Sequence, residues 1–377
     1  MYHLIFIVKI KIIMNVCIIG EGLTALSLAK SLINKKINVH YYYKSRNINF
    51  SSNRTIGISK SNFEFFNDKI FQIPKNNYWK INRIKIYTDK IDTENLLEFE
   101  NDKNDLFYII KNDELLKSLN SNIIKSKFFK KIILKKDINE ESLNKKEYDL
   151  IINCDANNFL AKKYFTKKIS KNYYNVAYTT ILKHKKIENN TAAQIFTKQG
   201  PIAFLPISNT KTSVVYSMDI KNKKFDNSDV IDLINKNNPK YQINEIDKLN
   251  SFELSSSNLR NYYHKNILAF GDMLHRVHPL AGQGFNMTIR DLRILTKIIE
   301  DKIELGMQLD SLILDEFEKK TKDKNFVFSK AIDLIYESFN LDKKVQNKSF
   351  SKILKSIGKN KNLNNYFIKL ADTGINF

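Results

Sequence analysis

The sequence predicts an α/β protein in which a parallel, helix-connected sheet carries an inserted antiparallel sheet and ends in a helical region. Three observations carry that prediction. Near the N-terminus an apolar run, Asn15 to Ile19, meets Gly20-Glu21-Gly22-Leu23-Thr24-Ala25 and a helical spacing through Leu32; a second strand-like run spans Ile37 to Tyr43. Far along the chain Ile267-Leu268-Ala269-Phe270 closes on Gly271-Asp272, then His278-Pro279-Leu280-Ala281-Gly282-Gln283-Gly284-Phe285-Asn286 leads into another helical spacing, with Ile289, Leu292 and Ile299 inward. Between them, from Ala177 to Met218, the pattern alternates as successive antiparallel strands do.

The bulk properties bound the answer. A chain of 377 residues with 42% hydrophobic and 12% aromatic content builds a globular core and has room for two domains. The net charge of +22 raises nucleic acid or an anionic membrane as partners. Only seven of the 62 basic residues are Arg, however, and the Lys are spread along the whole chain with Asn and Ile. That is the pattern of a diffuse solvated surface, and no nucleic-acid module accompanies it. Cys17 and Cys154 each sit in an apolar run without metal or redox spacing, so buried thiols in a reducing, cytoplasmic setting are expected, and no metal site. No stretch of about 18 apolar residues occurs. Residues 1–13 carry Lys9 and Lys11 without a small-residue cleavage site, and read as an extension ahead of Met14 rather than a signal peptide.

In chain order, the first motif is the strand–helix–strand dinucleotide fingerprint of a Rossmann-like sheet in its GxGxxA form. Gly20 makes the turn, Gly22 lets the backbone approach a pyrophosphate, and Ala25 stands where helix and strand pack closely. The acidic residue expected about 20 residues on is missing: Tyr43 ends the second strand, and Lys44-Ser45-Arg46 follows. Those two cations suit a 2′-phosphate and hold open an NADP-linked reading. Arg54 precedes Thr55 to Ser59 and a short helix near Asn62 to Phe66. Tyr78 to Phe99 alternates, Asn112 to Leu119 reads as a helix, and Asp149 to Ala156 as a buried strand ending in Asp155, a ligand contact or a helix cap. Ala193–Thr197, 200–206 and Thr212–Tyr216 are strands. After Glu300 the chain is helical, with Phe328, Ile332, Ile335, Tyr336 and Phe339 on one face. Phe350, Ile353, Leu354 and Ile357 form another apolar face opposed by Lys352, Lys355, Lys359 and Lys361, stopped at Gly358. That helix suits either an anionic membrane surface or inward packing. Scarcity sharpens the motifs: of ten Gly, five (Gly20, Gly22, Gly271, Gly282, Gly284) fall in the two glycine-bearing segments, and Arg276, Arg290 and Arg293 lie in or beside the second.

The second segment, Gly271-Asp272-x-x-His275 with His278 to Asn286, resembles the flavin motif of the para-hydroxybenzoate hydroxylase-type flavoprotein monooxygenases, above all the ubiquinone-biosynthesis FAD hydroxylases. Gly200 to Pro206 is similar to the same family's Gly-Pro-Leu-Ala-Leu-Leu-Pro pattern. The resemblance runs from about residue 15 to about 300. It implies an FAD-binding domain of residues 14–75, 100–165 and 259–305, a substrate domain of 76–99 and 166–258, and a C-terminal helical region of 306–377. It also implies an enzyme that uses FAD, NAD(P)H and O2 to hydroxylate a prenylated phenol in ubiquinone biosynthesis, alone or within an assembly, with peripheral contact at the inner face of the membrane.

The residues expected at FAD are Gly20, Gly22, Ala25 and Tyr43 from the dinucleotide fingerprint, and Arg54, Asp155, Gly271, Asp272, Pro279, Gly282, Gln283, Gly284, Phe285 and Asn286 from the resemblance. Asp272 would hold the ribityl chain and the helix start at 282–286 would face the flavin ring. His275, His278 and Pro279 are the catalytic candidates, and Phe204 and Tyr216 the candidates to line the substrate cavity. Tyr43, Ala25 and Ala156 depart from the family pattern and hold open a non-catalytic FAD-binding subunit of a ubiquinone-synthesis complex.

Overall fold

The computed structural model describes residues 14–44, 54–88, 95–100, 105–134, 137–138, 143, 148–221, 225–345, 356, 358 and 360–375. In chain order β1 (Asn15–Ile19), α1 (Leu23–Asn34) and β2 (Asn38–Tyr43) form the predicted strand–helix–strand unit. β3 (Thr55–Ser59) then leads into α2 (Lys60–Phe65) and a π-helical turn at Phe66–Ile70. β4 (Tyr78–Ile81), β5 (Arg83–Thr88), β6 (Asn95–Glu100) and β7 (Phe107–Lys111) precede α3 (Asn112–Ile123), β8 (Phe129–Ile133), β9 (Leu150–Asn153) and α4 (Phe159–Tyr164). The β-rich middle is β10 (Lys168–His184), β11 (Thr191–Phe196), β12 (Pro201–Ser208) and β13 (Lys211–Asp219), followed by α5 (Asn227–Lys236), β14 (Ile243–Ile246) and β15 (Asn250–Leu259). β16 (Tyr263–His264), β17 (Ile267–Ala269) and β18 (His275–Arg276) then lead to α6 (Gln283–Glu304), α7 (Ser311–Val345) and α8 (Lys361–Thr373).

Three sheets result. The first has the order β16-β17-β9-β1-β2-β8. β17, β9, β1, β2 and β8 run parallel within it. Parallel strands covered on both faces should be apolar throughout rather than alternating. Val16, Cys17, Ile18, Leu150, Ile152, Leu268 and Ala269 are accordingly all buried in one core with α1, α3 and α6. The second sheet has nine strands in the order β18-β15-β10-β13-β12-β11-β5-β6, with β14 pairing β10. The third is β3-β7-β4.

Two boundaries fall elsewhere than expected. β4 was grouped with the substrate domain, yet it pairs with β7 in the small sheet. β18, grouped with the FAD-binding domain, pairs with β15 at the edge of the large sheet, so His275 and Arg276 belong to that sheet. Neither pairing is visible locally, because a strand's sequence does not name its partner.

The large sheet has two different faces. Tyr178, Val214, Tyr216, Met218, Phe204 and Ile202 point to one side and pack with Val230 and Ile234 of α5. Because strand neighbours alternate, Thr179, Val215, Ala203 and Gln194, which are aligned across β10, β13, β12 and β11, point to the other. Phe196 also lies on that second side, stacked on Phe339 of α7 with ring centroids 3.4 Å apart. It packs there with Val277, Leu280, Met287, Phe328 and Ile332. The large sheet, the loop after β18 and α7 therefore share one cluster.

Along α7, four of the five residues assigned to the apolar face are buried, and Ile335 is not (36% exposed). The same buried stripe carries Asn325, Ser329, Asp333 and Tyr336, spaced by four, four and three, and each has a partner elsewhere. Asn325 donates to Asp291 at 2.9 Å, Ser329 accepts from Asn258 at 2.9 Å, Tyr336 accepts from Asn175 at 2.5 Å, and Asp333 accepts from Tyr173. Buried polar groups so paired fix the helix's rotation and register on the sheet. The face built on Phe350, Ile353, Leu354 and Ile357 lies outside the described residues. Among the described residues no helix is long and apolar enough to cross a membrane.

Leu292 on α6 is 1% exposed in the core of the parallel sheet. Leu292→Ala is expected to lower unfolding free energy by about 2–5 kcal/mol, read as a fall in the urea midpoint at unchanged slope.

Candidate functional site

An open parallel sheet offers a ligand crevice where its strand order reverses, at the carboxyl ends of the strands. Here β1 lies between β2 and β9, and the first strand's exit loop turns into α1. β1 ends at Gly20, β9 at Cys154-Asp155 and β17 at Gly271-Asp272, so the two distant motifs meet at one edge. A methyl group on Gly20 would lie 3.0 Å from Cys154 Cβ, and one on Gly271 would lie 2.5 Å from Thr24 Cγ2. The latter approach, at φ +69°, sets Gly271 against Thr24 in the first turn of α1, with Asp272 the next residue along the chain. Cys154 is half-buried between them. Burial, and after it Asp272 and Asp155, pushes its thiol well above the usual range, so it is an uncharged wall and not a nucleophile.

Two helix starts face this region. α1 begins after Gly22 with no side-chain cap and no acidic residue in its first turn, and a methyl group on Gly22 would meet nothing within 4 Å. α6, twenty-two residues long, begins after Gly282 (φ 64°), again without a side-chain cap or a first-turn acid. Leading N–H groups left without side-chain acceptors, at the positive end of a long helix, favour an anion. A methyl group on Gly282 would lie 3.6–3.8 Å from the backbone of Gly57 on β3, so the second helix start opens against that strand. Asp272 is exposed and supplies acceptors for hydroxyl groups. This donor and acceptor set fits a dinucleotide with a polyhydroxyl chain.

The other expected site residues divide. Ala25 is fully buried in the first turn of α1, where close packing was anticipated. Pro279 and Gly284 stay partly exposed beside the start of α6, and Gln283 is buried as its first residue. Asn286 is a correction: its side chain is fully buried and donates to Gly57 O at 2.8 Å while accepting from Ser59 N at 2.9 Å and Asn62 Nδ2 at 3.1 Å. It clamps β3 and α2 to α6 rather than reaching a ligand. Phe285 likewise packs on Phe66, with centroids 6.5 Å apart, at the margin of the core.

Asp155 is neither a free carboxylate nor the cap of α4. It accepts from Asn157 N at 2.9 Å in a local turn, and Asn158 caps the helix through Ala161 N. The Tyr43 ring lies under Lys131 Nζ at 4.4 Å and beside Tyr41. Lys44 is paired with Asp137, which removes one of the two cations of the NADP-linked reading; Arg46 lies outside the described residues. Arg54 is exposed with its guanidinium 5.8 Å from the Phe252 ring centroid on the large sheet. Phe204 and Tyr216 are corrections too. Both are fully buried on the α5 side of the sheet, and Tyr216 shares a 2.8 Å hydrogen bond with Thr197. The expectation had the right strands and the wrong face, since alternation does not say which side is covered.

The two histidines of the second motif part company. His275 Nε2 lies 2.6 Å from Asp291 Oδ2, and Asp291 is held in turn by Asn325. That buried chain joins β18, α6 and α7 and is an anchor. His278 is 1% exposed and, among the described residues, neither ring nitrogen has a hydrogen-bond partner. Its ring stacks on Tyr336 (4.2 Å, 23°) and meets the edge of Tyr173 (5.1 Å, 86°). Tyr173, Thr24 and Gly57 had no signal in the sequence that set them apart.

Comparison with known proteins agrees with this geometry. Residues 166–320 match the FAD binding domain family. The ubiquinone biosynthesis monooxygenase COQ6, mitochondrial, of Dictyostelium discoideum is 34% identical over 95 residues, 25% of this chain and 19% of that protein. The 3-demethoxyubiquinol 3-hydroxylase of Escherichia coli is 26% identical over 153 residues, 39% of each chain. These matches thus span well under half the length of either relative. The crystal structure of p-nitrophenol 4-monooxygenase PnpA from Pseudomonas putida superposes with a TM-score of 0.75 at 12% identity, covering 97% of this chain and 99% of that one. The fold is therefore that of the para-hydroxybenzoate hydroxylase-type flavoprotein monooxygenases.

Burial pushes the His278 imidazole down from 6.5 to about 3. Between those values the unfolded chain binds a proton that the folded chain refuses. The stability contribution is complete above the unfolded value and is lost as pH falls through this window, at up to about 1.4 kcal/mol per pH unit. His278→Phe is expected to flatten the acid limb of a stability-versus-pH curve between roughly pH 6 and 4; an unaltered limb would assign that titration to other groups.

Proposed function

We propose that this chain, a relative of the ubiquinone-biosynthesis FAD-dependent hydroxylases, is itself an FAD-dependent monooxygenase that hydroxylates a phenolic ring with NAD(P)H and O2. The observation that carries the reading is the close approach of Gly271, which precedes Asp272, to Thr24 in the uncapped first turn of α1, across 247 residues of sequence, while a second uncapped helix start opens at Gly282. One anion, one polyhydroxyl chain and one further electron-rich group match that arrangement in order. When bound, FAD reduced by a pyridine nucleotide supplies the activation of O2 needed to insert one oxygen atom into an electron-rich ring.

The chain's own groups have definable parts in this. The N–H groups after Gly22 receive the pyrophosphate, and Asp272 accepts from the ribityl hydroxyls. The positive end of α6 stabilises negative charge on the reduced ring system. The second face of the large sheet, with Gln194, Ala203 and Val215, stands over the ring site. Phe196, Phe339, Phe328 and Leu280 close its side and keep water out. No nucleophile is required, which suits a site whose nearest thiol, Cys154, is held protonated.

Purified protein is expected to show the visible absorption of an oxidised flavin and to oxidise NADH or NADPH faster when a phenol is added. A colourless protein that takes up no added FAD removes the proposal. Bound flavin with no phenol-stimulated oxidation supports the non-catalytic subunit instead. Asp272→Ala is expected to weaken FAD retention by about tenfold or more, the loss of charge-assisted hydrogen bonds, measured as flavin lost on gel filtration; retention equal to wild type would overturn the part given to that carboxylate.

A further inference from the structure

The two ring nitrogens of His278 are buried inside the protein. Buried polar atoms are almost always hydrogen-bonded, and each one left unmade costs free energy. Here both nitrogens of one ring are buried and unpartnered among the described residues, and the surroundings hold the ring in place instead of releasing it. Tyr336 lies flat on one face and Tyr173 presents its ring at a right angle. The hydroxyls of both tyrosines are committed elsewhere, to Asp333 and to Asn175, so they offer the imidazole aromatic surface and no hydrogen bond.

The placement of Tyr173 is itself built. β10 breaks register against β15 between Asn172 and Asn175, and within that bulge Tyr174 has φ +55°. A bulky non-glycine residue in the left-handed region is strained. Bulges re-aim side chains and are over-represented beside active sites. Tyr174 points outward (55% exposed) while Tyr173 is turned inward onto His278. The ring also sits one residue before Pro279 and four before Gly282, at the mouth of the second helix start, and Tyr336 packs with Ala177 and Leu254 of the large sheet. The imidazole therefore lies between the proposed ring site and the sheet that would cover it.

We propose that His278 is the substrate-recognition contact of this site, one ring nitrogen accepting the hydrogen bond of the phenolic hydroxyl. The inference rests on the flavoprotein reading above and deepens it by naming how the hydroxyl is recognised. An imidazole that stays uncharged in this setting draws on the O–H without binding a proton of its own, and an O–H so polarised leaves more electron density on the ring to be oxygenated. His275 also has one buried nitrogen, Nδ1, without a partner among the described residues, but its Nε2 is tied to Asp291 in the anchor of β18, α6 and α7. A histidine kept for packing alone would give the opposite mutational result, because phenylalanine keeps both aromatic contacts and removes two unsatisfied atoms.

The full-length protein loaded with FAD is titrated with 4-heptylphenol and with heptylbenzene, following the flavin absorption band. Wild type is expected to bind the phenol about tenfold more tightly than the hydrocarbon, the weight of one good hydrogen bond. His278→Phe is expected to retain flavin, melt at or above the wild-type temperature at neutral pH, and bind both probes at the wild-type affinity for heptylbenzene. His278→Gln, which keeps a polar group if Phe overfills the site, is expected to keep a reduced phenol preference of about threefold. A phenol preference undiminished in both variants, no preference in wild type, or loss of flavin from both variants overturns the assignment. Wild-type protein that takes up no FAD overturns the flavoprotein reading instead, so the two failures are told apart.

Discussion

A single buried carboxamide holds the two halves of the site in register. Asn286 sits in the first turn of α6 and hydrogen-bonds the carbonyl of Gly57, the N–H of Ser59 and the side chain of Asn62. Its partners lie more than 220 residues away in sequence. Because it satisfies both a donor and an acceptor on β3, sliding the strand by one residue would leave buried backbone groups unmade. The start of α6 is thereby fixed against Gly57, with Gly282 close to the backbone of that strand. Arg293, about two turns further on, donates to Ser61 O at 2.8 Å, and Asp372 of α8 accepts from Ser61 N at 2.8 Å. The C-terminal helix is pinned to the same short segment.

From that fixed point the polar stripe on α7 acquires a purpose. Asn325 is bound to Asp291 of α6, Ser329 to Asn258 of β15, and Asp333 and Tyr336 to residues of β10. One helix thus reads the relative position of the nucleotide-binding half and the sheet half at four points. Hydrophobic contact alone is tolerant of small rotations, whereas paired buried polar groups are not. His275 belongs to this structural set. His278, three residues on, stacks on Tyr336 and meets the edge of Tyr173, and among the described residues both of its ring nitrogens are left without a partner.

Much of the scaffold was legible residue by residue. Asn15 to Ile19 was expected as a strand and is one, and the unit through Tyr43 follows the expected order. The antiparallel strands near residues 193, 201 and 212 are present, as is the long helix after Gly282. Those features rest on short-range physics: apolar runs, glycines at turns, and the periodicity of α6. Illegible were the facts that depend on a partner. Phe204 and Tyr216 alternate correctly and face α5; Asn286, Phe285 and Asp155 sit in motif positions and are engaged by protein; Lys44 reads as a free cation until Asp137 is set beside it. The ring of Tyr43 is occupied by Lys131 for the same reason.

By itself the sequence determined where the strands and helices begin, that two glycine-bearing turns precede helices, and that a carboxylate follows the second of the critical strands. Local sterics and hydrophobic periodicity suffice for that, since each acts within a few residues. Only the tertiary structure decided that Gly271 meets Thr24 at the start of α1, that β18 joins the large sheet, and that a bulge in β10 turns Tyr173 onto His278. Those outcomes follow from pairing register and from buried hydrogen bonds between segments far apart in sequence, which no local pattern encodes.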